Sequence, residues 1–275
     1  MKEVMSAGGL AGSTLGCYRA LEDFTDALDA TDSIVLRASE LELGPLAELL
    51  VLRRQWQSQG KPFRLDTEGD KRCAAVRHVA TPGQPPVWHG ERVGALNIYG
   101  GGEVADLAAH EFAMRAGRLA TDAGMPGAAA RLWKGAFAEL IGNVNEHAGD
   151  GARGIAVYEF YTNAVWIAVA DNGQGVVRGY TSTGQGLEAL ETATALKWAV
   201  VDHRSRLSEP GRGTGFSTVM RAMLTLDASL RVRSDDASIE TERPALGVNW
   251  VVRDQDKLRG FVVSMFVGWK PTRLA

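Results

Sequence analysis

The stretch Glu139-Leu-Ile-Gly-Asn-Val-Asn-Glu-His147 is followed by two glycine-rich strings, Asp171-Asn-Gly-Gln-Gly175 and Gly211-Arg-Gly-Thr-Gly215. In the first string, Glu139, Asn143 and His147 recur at every fourth residue. On a helix this spacing places the three polar side chains along one face. The stretch therefore predicts a helix whose polar stripe faces a cavity.

The second string is predicted to lie at the end of a strand, and the third string at the start of a helix. The apolar run 164–170 that precedes Asp171 is typical of a buried strand. The glycines after Asp171 permit a positive-φ turn, where the backbone can approach a ligand closely. The third string leads into another apolar, helix-like stretch, 216–226. A glycine-rich loop before a helix N-terminus favours anion binding, because its backbone N–H groups point at the ligand.

Taken in this order, the three strings resemble those of the GHKL superfamily. This superfamily includes DNA gyrase, MutL, the heat shock chaperone of the Bergerat fold, histidine kinases and the anti-sigma serine kinases. Each string alone is a weak signal, since glycine turns after strands are common. The similarity covers residues 126–268, about half of the chain, and includes all three strings. It implies a Bergerat-type two-layer α/β sandwich over residues 126–275.

The resemblance implies Mg-ATP as the ligand and assigns a role to each string. Glu139 corresponds to the catalytic residue that takes a proton from the attacking group. Asn143 corresponds to the protein ligand of Mg²⁺, which takes its other ligands from phosphate and water. Asp171 would accept a hydrogen bond from the adenine amine. Gly173 and Gly175 would let the base lie close to the backbone.

The third string is predicted to hold the phosphates. Its backbone and hydroxyl groups would surround them, with Arg212 placed to contact one. The predicted phosphate-binding residues are Gly211, Arg212, Gly213, Thr214 and Gly215. The segment 176–210 before this string is predicted to form a lid over the nucleotide.

Two of the predicted site residues also have ordinary structural explanations. A glutamate on a helix is most often exposed to solvent, yet Glu139 lies between Phe137 and Leu140 in an apolar helix, which favours the site. His147, at the end of that helix, has three readings. Its side chain would contact or support the phosphates, interact with the helix dipole at the C-terminus, or pack in the core as an imidazole.

One position departs from the superfamily pattern. Members often carry Gly-Thr on the last strand, and the Thr hydroxyl shares the adenine-bound water with the Asp of the second string. In this chain the corresponding strand is 260–268, and Phe261 stands where the Thr is expected. Ser264 could replace the hydroxyl only if the register shifts. We therefore expect a weaker or differently built adenine contact.

The first part of the chain, residues 1–100, reads as a small α/β unit. Strand candidates at 33–37 and 61–65 flank a helix at 45–57, and a further helix is predicted at 70–80. This alternation argues for a parallel sheet with helices packed on it. Its length and order resemble the STAS fold of anti-sigma antagonists, which implies a domain that senses or binds a protein partner.

A connecting helix is predicted over residues 101–125. Within it, Ala109-His-Glu-Phe112 resembles the phosphoacceptor motif of sensor histidine kinases. In that family a two-helix hairpin and a linker separate this His from the Glu of the ATP-binding helix. His110 and Glu139 are too close in sequence for that arrangement, so we interpret His110 as a residue of an amphipathic helix.

The composition of the chain indicates which class of protein it belongs to and in which compartment it is expected. The chain has 275 residues, of which 45% are hydrophobic and 23% charged, as expected for a globular protein of one or two domains. Its net charge of −3 gives no electrostatic reason to expect nucleic acid. No run approaches the ~18 apolar residues that span a membrane. The two cysteines, Cys17 and Cys73, favour a reducing cytoplasm.

Three functions stay open from the sequence. The first is an ATPase or ATP-driven switch that controls a protein partner. The second is a serine/threonine protein kinase of the anti-sigma type, in which a hydroxyl replaces water beside Glu139. The third is a nucleotide-binding regulator without catalysis, favoured by the missing Thr at Phe261. A partner is expected to bind through the N-terminal unit or the lid, and a homodimer is a further possibility.

Overall fold

The computed structural model describes Tyr18 and residues 35–58, 64–99, 103–147, 153–181, 190–202, 215–226, 228–242 and 249–270. Its strands are β1 Val35–Arg37, β2 Arg64–Asp66, β3 Val87–His89, β4 Val93–Tyr99, β5 Arg153–Tyr161, β6 Ala164–Asp171, β7 Ser229–Glu242 and β8 Asn249–Gly268. Its α-helices are α1 Leu43–Ser58, α2 Lys71–Ala80, α3 Glu103–Asp122, α4 Gly127–His147, α5 Gly175–Thr181, α6 Thr192–Val200 and α7 Gly215–Leu226. Among these helices, none is long and apolar enough to cross a membrane.

Most strands belong to one antiparallel sheet of six strands, in the order β3-β4-β5-β6-β8-β7. Strands β1 and β2 form a separate parallel pair, which α1 connects along the chain. The mixed α/β class is confirmed, and so is the parallel pairing of the first two strands. The large sheet crosses the predicted boundary at residue 100, because β3 and β4 pair with each other and β4 pairs with β5.

Helices α3, α4 and α7 cover one face of the large sheet. Phe112 of α3 and Phe137 of α4 are fully buried there, with ring centroids 5.8 Å apart. On the strands below them, Val165 and Ile167 of β6 face the same core. Apolar residues at helical spacing on α4 and at alternate positions on β6 therefore meet in one layer.

The first part of the chain covers the opposite face. Tyr18, Leu43 of α1 and Val79 of α2 pack against Trp166 and Ala168 of β6, the residues that alternate with the first core. Both faces of β6 are thus buried, which explains why 164–170 is apolar without alternation. Helices α1 and α2 thus form a third layer on the second face of the sheet. The Bergerat-type two-layer arrangement expected for residues 126–275 stays a prediction.

Two buried ionic clusters join this third layer to the sheet. Arg72 of α2 contacts Asp70 at 2.6 Å and Glu159 of β5 at 3.3 Å. Glu48 of α1 contacts Arg231 at 2.7 Å and Arg233 at 3.0 Å, both on β7. Because the two clusters lie on β5 and β7, they connect the first part of the chain to both sides of β6.

Candidate functional site

Helix α4 carries the predicted polar stripe on its half-buried side. Phe137, Leu140 and Ile141 are buried in the core, whereas Glu139 and Asn143 are partly exposed. Burial raises the pKa of the Glu139 carboxyl above its usual range, and the charge of Glu146 adds to the effect. A carboxylate with a raised pKa is a stronger base than an exposed one.

Asn143 presents an amide that other described residues leave unpaired. Its Nδ2 atom is buried and has no hydrogen-bond partner within the described part of the chain. Asn145, two positions further along, differs in which atom is unpaired: its amide nitrogen donates to the Asp106 carboxylate of α3 at 3.5 Å, whereas its Oδ1 atom is buried without a partner among the described residues. A buried, unpaired amide is costly unless a ligand or water satisfies it.

Asp171 lies at the end of β6, where the sheet meets the second glycine-rich string. Its side chain is buried, and its Oδ1 atom accepts a hydrogen bond of 2.7 Å from the Gly173 N–H. The Phe261 N–H of β8 also donates to this carboxylate. Burial nevertheless raises the pKa of Asp171 to about 6, because the two backbone hydrogen bonds only partly offset the loss of hydration.

The stripe on α4 and the end of β6 lie next to each other. Gly154 of β5 pairs directly with Asp171. A Cβ atom added at Gly154 would come within 2.5 Å of the Val144 Cγ1 atom and 3.1 Å of the Ala170 carbonyl oxygen. The helical turn that contains Asn143 and Val144 therefore rests on the strand ends beside Asp171, and the first two strings converge.

The end of the third string reaches the same place. Gly215 is the first residue of α7, which packs against α4. The next residue, Phe216, contacts Phe261 edge to face, with ring centroids 6.0 Å apart. Since Phe261 pairs with Asp171, the N-terminus of α7 lies near the buried carboxylate. A helix N-terminus in this position favours an anion.

Several predicted site residues fall outside the described part. These are Gly211, Arg212, Gly213 and Thr214 of the third string, and much of the predicted lid. His147 is the last residue of α4, but its side chain lies outside the description, so its three readings stay open. His110 lies on α3 as predicted, on an exposed face of that helix.

Strand β7 contributes two residues that the sequence did not single out, Ser234 and Asp235. A Cβ atom at Gly175, whose φ is +74°, would lie 2.7 Å from Asp235 Oδ2 and 3.1 Å from Ser234 Oγ. The Ser234 hydroxyl accepts a hydrogen bond of 3.0 Å from the Val176 N–H. Gly175 is therefore needed for close packing against β7. The departure from strand alternation at Ser234-Asp-Asp236 is the only sequence signal for this contact.

The register of β8 decides how the missing Thr is replaced. Phe261 pairs with Asp171, and both side chains project from the face of the sheet that α3, α4 and α7 cover. Ser264 is three residues further, so it projects from the opposite face, where its hydroxyl forms a hydrogen bond with Tyr18. Ser264 therefore lies on the wrong face to take the place of the Thr.

Within the described ranges, no group of three or more His, Cys, Asp or Glu side chains is placed to hold a metal ion. A scan of the chain against protein-family models finds no match, and a search of curated proteins finds none either. The GHKL and STAS resemblances thus stay predictions that depend on the residues themselves.

Proposed function

We propose that the protein binds Mg-ATP in the manner of the GHKL superfamily and acts as an ATPase or ATP-driven switch that controls a protein partner. One observation carries this proposal. The half-buried stripe of Glu139 and Asn143 on α4 lies beside the buried Asp171 at the end of β6, next to the N-terminus of α7. A base, an amide, a buried carboxylate and a helix N-terminus thus share one side of the sheet.

The donor set fits Mg²⁺ bound mainly through phosphate. Asn143 would provide its amide oxygen, a ligand type that this hard cation accepts. Its buried Nδ2 donor, which has no partner among the described residues, would be satisfied by an acceptor such as a phosphate oxygen. When bound, Mg²⁺ neutralises the charge of the phosphates. The N-terminus of α7 would add backbone N–H donors to the same anionic group.

Asp171 would recognise the base. Each carboxylate oxygen has two lone-pair sites, so the bonds from Gly173 and Phe261 leave room for one more donor. The exocyclic amine of adenine is such a donor, and guanine carries a carbonyl at that position. The ionised form of Asp171 accepts this bond, and nucleotide binding would therefore favour loss of its proton.

Glu139 would hold the proton that the attacking group releases. Because burial raises its pKa, the Glu139 carboxylate is a stronger base than an exposed glutamate. The same chemistry serves a water molecule, as in an ATPase, and a serine or threonine hydroxyl, as in a kinase of the anti-sigma type. The acceptor that reaches Glu139 thus separates these two activities.

The resemblances suggest how the site would be used. A Bergerat-type arrangement of the nucleotide-binding half would couple the bound phosphates to the predicted lid. The STAS-like β1-α1-β2 unit would offer a surface for a protein partner, and a second copy of the chain is a further candidate. A cytoplasmic location, which the two cysteines favour, belongs to the same proposal.

A second candidate function, nucleotide binding without turnover, is favoured by Phe261. Its ring occupies the position expected for the Thr and packs edge to face on Phe216. Without the Thr hydroxyl, the adenine contact depends on Asp171 alone. Such a site would bind nucleotide without turning it over, and its occupancy would follow the cellular nucleotide concentration, as in a sensor.

Labelled ATP distinguishes these functions. The purified protein is incubated with γ-labelled ATP and Mg²⁺, and free phosphate, labelled protein and bound nucleotide are measured. We expect free phosphate from the wild type, none from Glu139→Gln, and weakened Mg²⁺-dependent binding in Asn143→Ala. Asn145→Ala is the matched control, because it removes the same side chain from the other side of α4.

Each outcome has a distinct meaning. Label on the protein or on an added partner indicates a kinase. Binding without either product indicates the sensor. If the wild type shows no binding of ATP at millimolar concentration, the proposal is wrong.

A further inference from the structure

Strand β8 contains a bulge directly behind Asp171. Ser234 of β7 pairs with Phe261, but the next residue, Asp235, pairs with Leu258, so Arg259 and Gly260 have no partner in the register. Gly260 has a φ of +107°, and a Cβ atom there would overlap the carbonyl oxygen of Asp171. The bulge therefore presses its backbone against the residue that we assign to base recognition.

A bulge leaves backbone polar groups without their usual partners in the sheet, and side chains from three elements satisfy them here. Gln55 of α1 donates from Nε2 to the Lys257 carbonyl at 2.6 Å and accepts from the Arg259 N–H at 2.7 Å. The Ser234 hydroxyl donates to the Gly260 carbonyl at 2.8 Å. The Phe261 N–H donates to the Asp171 carboxylate.

These contacts join the third layer to the candidate site. Gln55 bonds both sides of Leu258, and Leu52, one helical turn earlier on α1, packs on Leu258 and Val262. Glu48, a further turn back, holds α1 to β7 through its two arginine contacts. The position of Gln55 is thus set by a helix that Leu52 and Glu48 also hold against β8 and β7.

We infer that Gln55 is a positioning residue of the nucleotide site, which it controls by fixing the β8 bulge so that the Phe261 N–H meets Asp171. This inference rests on the proposed function. It also gives that function a regulatory input, because α1 belongs to the part of the chain expected to bind a protein partner. A partner that shifts α1 would shift Arg259, and through it the hydrogen bond on Asp171.

Charged groups near the bulge must be considered in any test that varies pH. Lys257 of β8 and Arg178 of α5 lower the pKa of Asp235, while burial and Asp236 raise it, with burial the largest effect. Asp171 itself is affected by burial and by its two backbone donors. The amide signal of Phe261 reports on Asp171 directly, so it is the preferred readout.

The test uses the full chain with Gln55→Ala, which removes both bonds to the bulge, and Gln55→Glu, which keeps the size and the acceptor but loses the donor. Tyr161→Phe is the matched control. It removes the hydroxyl that bonds Glu159 at 2.6 Å and Glu42 at 3.3 Å, so it loosens the third layer without touching the bulge. Affinity for ATP is measured by calorimetry, and the Phe261 amide shift is followed by NMR through the titration of Asp171 in the nucleotide-free protein.

We expect Gln55→Ala to bind ATP about three- to tenfold more weakly, as for the loss of one neutral hydrogen bond at the site. The NMR shift of its Phe261 amide should respond less to the ionisation of Asp171. Gln55→Glu should lie between Gln55→Ala and the wild type in both measurements, and Tyr161→Phe should match the wild type in both. Equal ATP affinity and an unchanged Phe261 response in both Gln55 variants would overturn the inference, and so would an equal loss in Tyr161→Phe.

Failure of the proposed function would look different. In that case the wild type would bind no ATP, while the Phe261 response would still differ between wild type and Gln55→Ala if the bulge acts as inferred. The NMR measurement therefore judges the role of Gln55 without nucleotide. Should Gln55→Ala fail to fold, Gln55→Glu carries the same comparison.

Discussion

Replacing Asp171 by Asn separates what the buried carboxyl does for stability from what it would do for binding. The pKa of Asp171 is raised from the usual 3.8 to about 6 by burial. Keeping the carboxylate ionised in the folded protein at neutral pH therefore costs about 3 kcal/mol, the free energy that corresponds to this change. Asn carries no charge and avoids that cost.

The direction of the pH effect follows from the sign of the change. Because the pKa is higher in the folded than in the unfolded chain, this group stabilises the fold fully below the unfolded pKa. That contribution is lost as the pH rises through about 6. The free energy of unfolding of Asp171→Asn, relative to wild type, should thus increase by up to about 3 kcal/mol between pH 4 and pH 7.5.

Urea unfolding of both proteins across this pH range measures the difference, in which the other titrating groups cancel. At pH 7.5 calorimetry should show ATP affinity reduced about 10- to 100-fold in Asp171→Asn, because a charge-assisted hydrogen bond is lost. Asp122→Asn, on an exposed position of α3, controls for the change of residue type. A stability difference that stays constant with pH would refute the raised pKa of Asp171. Equal ATP affinity of the two proteins would refute the contact between Asp171 and adenine.

Three further substitutions test the fold around the site. Glu48→Ala removes the carboxylate that two buried arginines of β7 share, and should lower the free energy of unfolding by about 3–5 kcal/mol in urea, whereas Glu40→Ala on the surface should have little effect. Gly260→Ala should lower the free energy of unfolding by about 2 kcal/mol or more, because the positive φ of Gly260 and the adjacent Asp171 backbone exclude a side chain. Gly135→Ala, in open space on α4, should raise it by about 0.5–1 kcal/mol. Equal thermal midpoints of the two variants would contradict this. Phe261→Thr should raise ATP affinity about three- to tenfold if the missing hydroxyl limits binding, and calorimetry that finds no gain would remove this explanation.

Local pattern was sufficient for the elements that depend on local spacing. The four-residue period of Glu139 and Asn143 predicted a helix with both side chains on one face; α4 is that helix, and both residues are partly exposed on it. The apolar run before Asp171 predicted a buried strand, and β6 is one. Both signals arise from the geometry of a single helix or strand, so neighbouring residues in the chain contain all the information.

Other features required the tertiary structure. The apolar character of both faces of β6 was visible in the sequence, but the element that covers its second face, α1 with α2, is distant in the chain. No spacing rule predicts that Ser264 faces Tyr18 and not Asp171, because that depends on the register of β8 against β6.

The sequence by itself therefore determined which helix or strand carries Glu139, Asn143 and Asp171, the residues that we propose for the site. Only the tertiary structure decided that Gln55 and Ser234 hold the backbone behind Asp171. The physical reason is that a bulge satisfies its unpaired backbone groups with whatever polar side chains the packing brings near. These partners are separated from the bulge by up to 204 positions in the chain, so no local pattern records them.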